Sequence, residues 1–156
     1  MSFDIHSENE TKPKSCCFFG HRDAPFTMRE QVKLAVKIMI VTGLADCFYV
    51  GTHGNFDKMA LGAVKELQRE YPHIRYQVAL AYPPDERTAR LYGDNAVYPQ
   101  STQNAPAKFA VYDRNDWIIE QSRYVITYIT RTSGGAYHFV TKARNKGLTI
   151  IPLGKQ

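Results

Sequence analysis

Long apolar runs are absent from this chain: no stretch is long enough to span a bilayer, and residues 1–14 are polar and interrupted by Pro13, which excludes the apolar core of a signal peptide. The expectation is a flexible leader over 1–14 and one domain over 15–156, since 156 residues with 44% hydrophobic content build a single core and leave no room for a second. Cysteine is scarce as well. Cys16, Cys17 and Cys47 are odd in number, lack metal-ligand spacing and lie in or beside strand-like runs. They read as reduced core thiols of a cytoplasmic protein, and no metal is expected. Charge of one sign is thin too: the formal net charge is +5, and the bases are interleaved with acids, as in Lys65-Glu66 and Asp113-Arg114. No basic run suggests a nucleic-acid arm, so a polynucleotide partner is disfavoured. Neither G-x-G-x-x-G nor a Walker loop occurs, which disfavours a conventional NAD or ATP site, and no cofactor is expected.

What the chain has is alternation. Residues 15–19 are short, apolar and end at a glycine, the pattern of a buried strand. Thr27-Met28-Arg29-Glu30 matches a capping box, and Met28, Val32, Ala35 and Met39 share one face of the helix it would open. Residues 47–50 make a second strand, after which Ala60, Ala63, Val64 and Leu67 stripe a second helix. A third strand over 75–81 puts Tyr76, Val78 and Leu80 on one face. From 82 to 106 the pattern stops, with four prolines and two turn-like clusters. A loop of that length in a compact domain is a functional lid or an insertion, and Tyr82, Tyr92 and Tyr98 favour partial order. Residues 107–122 read as a helix broken near Asn115, with Trp117 in the core. Strands over 124–129 and 148–151 flank a last helix over 136–146. This order predicts a three-layer, Rossmann-like α/β domain with a mainly parallel five-stranded sheet in the order 3-2-1-4-5.

Each of three strands runs into a glycine-bearing loop and then a helix: Gly20-His21-Arg22-Asp23, Gly51-Thr52-His53-Gly54-Asn55-Phe56-Asp57 and Thr132-Ser133-Gly134-Gly135. That geometry presents backbone N–H groups and the positive end of a helix dipole to an anion, most simply a phosphate. The candidate ligand-binding residues are therefore Gly20, His21, Arg22, Gly51, Thr52, Gly54, Asp57, Thr132, Ser133, Gly134 and Gly135. Arg22 could clamp a phosphate with its planar fork, or pair with Asp23 or Asp57. His21 could donate a hydrogen bond or shuttle a proton. Asp57, one turn into its helix, either caps it or meets a ribose hydroxyl, and the helix dipole argues that it stays ionised. His53 and His138 read as surface or packing residues.

Taken together, Phe19-Gly20-His21-Arg22, Gly51-x-x-Gly54-x-x-Asp57, Arg114-Asn115-x-Trp117 and Thr132-Ser133-Gly134-Gly135 before a helix resemble the SLOG superfamily. That group joins the DNA-processing protein A domain with the lonely-guy nucleotide hydrolases. The likeness covers about residues 15–152 and is to small bacterial members. It implies a Rossmann-like fold that binds nucleotides or nucleotide-derived, ADP-ribose-like ligands at the glycine loops, without implying a reaction. Lonely-guy enzymes carry Pro-Gly-Gly-x-Gly-Thr closely followed by a catalytic Glu, whereas here Ala136-Tyr137-His138-Phe139 follows the glycine pair. The DNA-processing relatives bind single-stranded DNA through a basic groove on a larger chain, and neither is visible here.

Two classes of function follow. One is a regulatory or sensory domain for a nucleotide-like small molecule, with a homo-oligomer as a possible assembly. The other is hydrolysis of a nucleotide N-glycosidic bond, in which Asp57, Asp23 or Glu120 would stabilise an oxocarbenium-like centre or activate water. Single-stranded nucleic acid binding is a third reading.

Overall fold

A computed structural model describes residues 12–154, and the leader expected over 1–14 lies, for residues 1–11, outside the described residues. Its end is tied to the domain: the Lys14 carbonyl accepts from the Asp46 and Cys47 amides at 2.9 and 3.2 Å. Strand β1 (Ser15–Gly20) is buried from Ser15 to Phe19. Helices cover both faces of this sheet, so a central strand such as β1 is a continuous apolar run with no polar side to show.

Helix α1 (Arg29–Val41) buries Val32, Ala35, Val36, Met39 and Ile40, as the stripe predicts. The capping box at Thr27 does not form. Pro25 leads into a tight turn, Phe26–Met28, so Thr27 sits inside the helical path instead of at its mouth, and no side chain caps α1. Strand β2 (Cys47–Val50), helix α2 (Gly54–Glu70) and strand β3 (Arg75–Ala79) follow. Ala60, Ala63, Val64 and Leu67 of α2 are all buried.

The stretch over 82–106 is more ordered than its composition suggests. It holds α3 (Glu86–Tyr92), β4 (Ala96–Val97) and α4 (Gln100–Asn104). Asp85 caps α3 by accepting from the Thr88 amide at 2.8 Å. Strand β4 pairs in parallel with β3, Val78 opposite Ala96 and Ala79 opposite Val97. The sheet therefore has six strands, not five. A two-residue strand and helices of seven and five residues are too short for any period to show.

Helix α5 (Ala110–Gln121) runs without the expected break at Asn115 and buries Ala110, Arg114, Ile118 and Ile119. Trp117 is only partly buried and meets Tyr49 edge-on, ring centroids 5.6 Å apart. Strand β5 (Tyr124–Tyr128), helix α6 (Gly134–Asn145) and strand β6 (Thr149–Pro152) complete the chain. All strand pairs are parallel, in the order β4-β3-β2-β1-β5-β6. Residues of α1 and α2 pack with one face of the sheet, and those of α5 and α6 with the other. The chain works outward from β1 to β4, and α5 then leads to β5 on the opposite side of β1. Loops on either side of that reversal diverge and leave a crevice. Among the described residues no helix is long and apolar enough to cross a membrane.

Candidate functional site

A cleft of about 570 Å³ opens where the sheet reverses, at the C-terminal ends of β1 and β2. Gly20, His21, Arg22 and Asp23 form one wall. Arg131, Gly134, Gly135 and Ala136 form the facing wall, and Gly51, His53 and Asp57 close the β2 side. Helix α5 supplies Val111, Tyr112, Arg114, Asn115 and Ile118. Thr52, Gly54, Thr132 and Ser133 are not in the lining, and Glu120 is exposed on α5 outside it. No residue of 82–106 is among those lining the cleft, although Tyr82, at the start of that stretch, stands close enough to Arg114 to oppose the fall in its pKa.

Two of the expected glycines are accounted for by packing. A β-carbon at Gly20 would collide with the buried ring of Phe56. Gly54 has φ +91°, and its β-carbon would strike the backbone of Arg22. The Asn55 amide donates to the Arg22 carbonyl at 2.8 Å and its side chain to the Ala24 carbonyl at 3.1 Å. The β1 loop and the first turn of α2 are thereby locked together.

Gly51 serves the chemistry beneath it: a β-carbon there would lie 2.8 Å from Asp57 Oδ2 and 3.5 Å from Arg114 Cζ. Asp57 Oδ2 accepts from the His53 amide at 2.9 Å, so the capping role is realised. The helix dipole does not hold this carboxyl low, although a group titrating at about 6 is still mostly ionised at pH 7. Burial pushes it from an ordinary value of 3.8 up to about 6, against the opposing pull of the His53 amide and Arg114. Asp57 keeps partial exposure as a residue, but its carboxyl is the enclosed end.

Arg114 is 1% exposed and is the largest of the fully buried side chains. Its Nη1 donates to the Ala79 carbonyl at 2.8 Å and to Thr52 Oγ1 at 3.0 Å, and its Nε to Asn115 Oδ1 at 2.7 Å. Nη2 stands 3.2 Å from His53 Nδ1. These partners are all neutral, and among the described residues no carboxylate lies within ion-pair distance of this guanidinium. Burial pulls its pKa down, with Asp57 opposing. Burial first, then Arg114 and Arg22, also keeps His53 below its usual range. His53 is thus a neutral acceptor at the cleft, where the sequence pattern had suggested a surface or packing residue.

His21 is 3% exposed, and its Nε2 accepts from the Thr130 amide at 2.9 Å. Burial, and next the nearby Arg131, hold it below its usual pKa. Through Nε2 as an acceptor, and not as the expected donor, His21 ties the two walls together. Asp23 pairs with Arg131 at 3.2 Å across the mouth, and that hydrogen bond keeps its carboxyl low. Arg22 pairs with neither Asp23 nor Asp57 and stands exposed at the lining.

The α6 terminus is open. Ser133 offers no side-chain cap, the first turn holds no acid, and Gly134 has φ +90°. Positions where β-carbons would stand on Gly134 and Gly135 have nothing within 4 Å. Unpaired N–H groups and the positive helix end therefore face the cleft.

Fold and cleft together define a Rossmann-like α/β protein with a crevice at its switch point. No family model matches the sequence, and no curated protein does. Among solved structures, that of DNA processing protein A from Streptococcus pneumoniae is similar, with a TM-score of 0.63 and 17% identity over 96% of this chain. The match takes in 53% of that protein, so the chain spans about half its length. The likeness shows the fold, which agrees with the α/β part of the SLOG resemblance.

Proposed function

We propose that the cleft binds a nucleotide or nucleotide-derived anion, such as an ADP-ribose-like ligand, as the sensing site of a regulatory domain. The observation that carries this reading is Arg114, a buried cation that lines the cleft and whose hydrogen bonds all go to neutral groups. Burying a charge with no carboxylate in ion-pair contact costs several kcal/mol; Asp57 offsets part of that cost from across Gly51, and an anion entering the cleft would offset more. Arg22, Arg131 and the open α6 terminus surround the same space and favour phosphate. Ionised Asp57 would turn the phosphate toward α6 and take ribose hydroxyls on its own side.

Thermal unfolding with a panel of nucleoside mono- and diphosphates and ADP-ribose tests the reading. Ligand at about 100 times its Kd should add roughly 2.7 kcal/mol of stability. Gly135→Val, whose side chain enters open space beside α6, should fold normally and lose that gain. Stabilisation that persists in Gly135→Val would put the phosphate elsewhere.

Asp57 supports a second reading, hydrolysis of the N-glycosidic bond. A carboxyl titrating at about 6 can hold or give a proton near neutrality, which a carboxyl of ordinary pKa cannot. Release of free base from nucleoside monophosphates, lost in Asp57→Asn with affinity kept, would establish the enzyme over the binding domain.

A further inference from the structure

The α5 side of the cleft differs in chemistry from the phosphate side. Tyr112 is 50% exposed yet lines the cleft. Its ring lies 5.3 Å from Phe139 and 5.8 Å from His138, while those two rings meet edge-on at 4.8 Å. The phenol is braced by these two rings, and Phe139 lines the cleft beside it. A ring held in place loses little conformational entropy when something stacks on it. Phe139 lies one turn along α6 from Gly135, a rise of roughly 6 Å, so the aromatic corner stands about one ribose away from the open helix terminus. Asn115, three residues on from Tyr112, projects from the same side of α5 into the cleft. Arg114 Nε donates to Asn115 Oδ1 at 2.7 Å, which turns the amide nitrogen outward as a donor.

We propose that Tyr112, braced by Phe139 and His138 and flanked by Asn115, is a nucleobase subsite that stacks an aromatic base and donates to an acceptor on its edge. This rests on the phosphate-binding reading of the cleft and names what the ligand carries at its other end. Every base has a π-face, so the platform favours aromatic ligands as a class, and Asn115 favours edges with a carbonyl or ring nitrogen. A cleft of about 570 Å³ falls within the size range of small-molecule sites.

Calorimetric titration of AMP and of ribose 5-phosphate into wild type, Tyr112→Ala and Tyr112→Phe decides the matter. Tyr112→Ala should weaken AMP by roughly five- to 150-fold, the loss of one base stack, and leave ribose 5-phosphate unchanged. Tyr112→Phe should keep wild-type affinity for both. Equal AMP affinity in wild type and Tyr112→Ala, or an equal loss for ribose 5-phosphate, would overturn the subsite and leave the phosphate cleft standing. If wild type binds neither ligand, the phosphate reading falls and takes the subsite with it.

Discussion

Asp57 is held in the cleft against its own solvation. Its carboxyl binds a proton more tightly in the folded chain, at about 6 against an ordinary 3.8, so the folded state holds the extra proton between those values. Stability from this group is present at low pH and is lost as pH rises from about 4 to about 6. Asp57→Asn should therefore stabilise the protein at pH 7 by up to about 3 kcal/mol and give no gain near pH 3.5. His21 and His53, both held below their usual pKa, act in the opposite sense and lose stability as pH falls below 6.5. Wild type and variant share them, so the difference between their urea-unfolding curves isolates Asp57. A difference independent of pH would mean that the carboxyl is not desolvated. Gly20 allows a simpler test: Gly20→Ala drives a methyl into Phe56 and should cost about 1–3 kcal/mol, read by chemical denaturation without ligand.

At the scale of elements, legibility follows length and chemistry. Strands β1 and β2 and helix α2 carry apolar patterns long or pure enough to read directly. Strand β4 and helices α3 and α4 do not, because two to seven residues show no period. Helix α5 misled for another reason. Its buried face includes Arg114, which no apolar stripe would count, while Phe109 just before it is exposed. Arg114 did stand in the Arg114-Asn115-x-Trp117 pattern, the only signal that could have placed it at the site. The stretch between β3 and α5 is held unevenly. Helix α3 buries no residue, whereas Ser101 and Thr102 of α4 donate to Asp113 Oδ1 at 2.8 and 2.7 Å. Trypsin should cut first at Arg87 and Arg90, at a rate that saturating nucleotide leaves unchanged, since α3 does not touch the cleft. Protection by ligand would show that this stretch closes over the site after all.

Across the whole molecule, the glycine loops were visible because a turn after a strand announces itself within a few residues. The α5 wall was not, since it is brought to the cleft by the crossover from one half of the sheet to the other. Size and charge make a prediction here. The chain carries a formal +5 over a surface where acids and bases mix, so mononucleotide affinity should fall only gently with salt. A steep log–log decline for a single-stranded oligonucleotide, together with tighter binding than a mononucleotide, would favour the polynucleotide reading instead.

The bond from the Thr130 amide to His21 Nε2 joins the two halves of the sheet at the cleft itself. While His21 is neutral, that bond helps the β1–β5 ladder hold the crevice at its width, so that the proposed ligand would meet a slot already formed. Protonation would leave an N–H facing an N–H, with the Arg131 charge close by. The same contact that keeps the walls together would then push them apart, so an acidified solution should speed release of a bound ligand before it unfolds the protein.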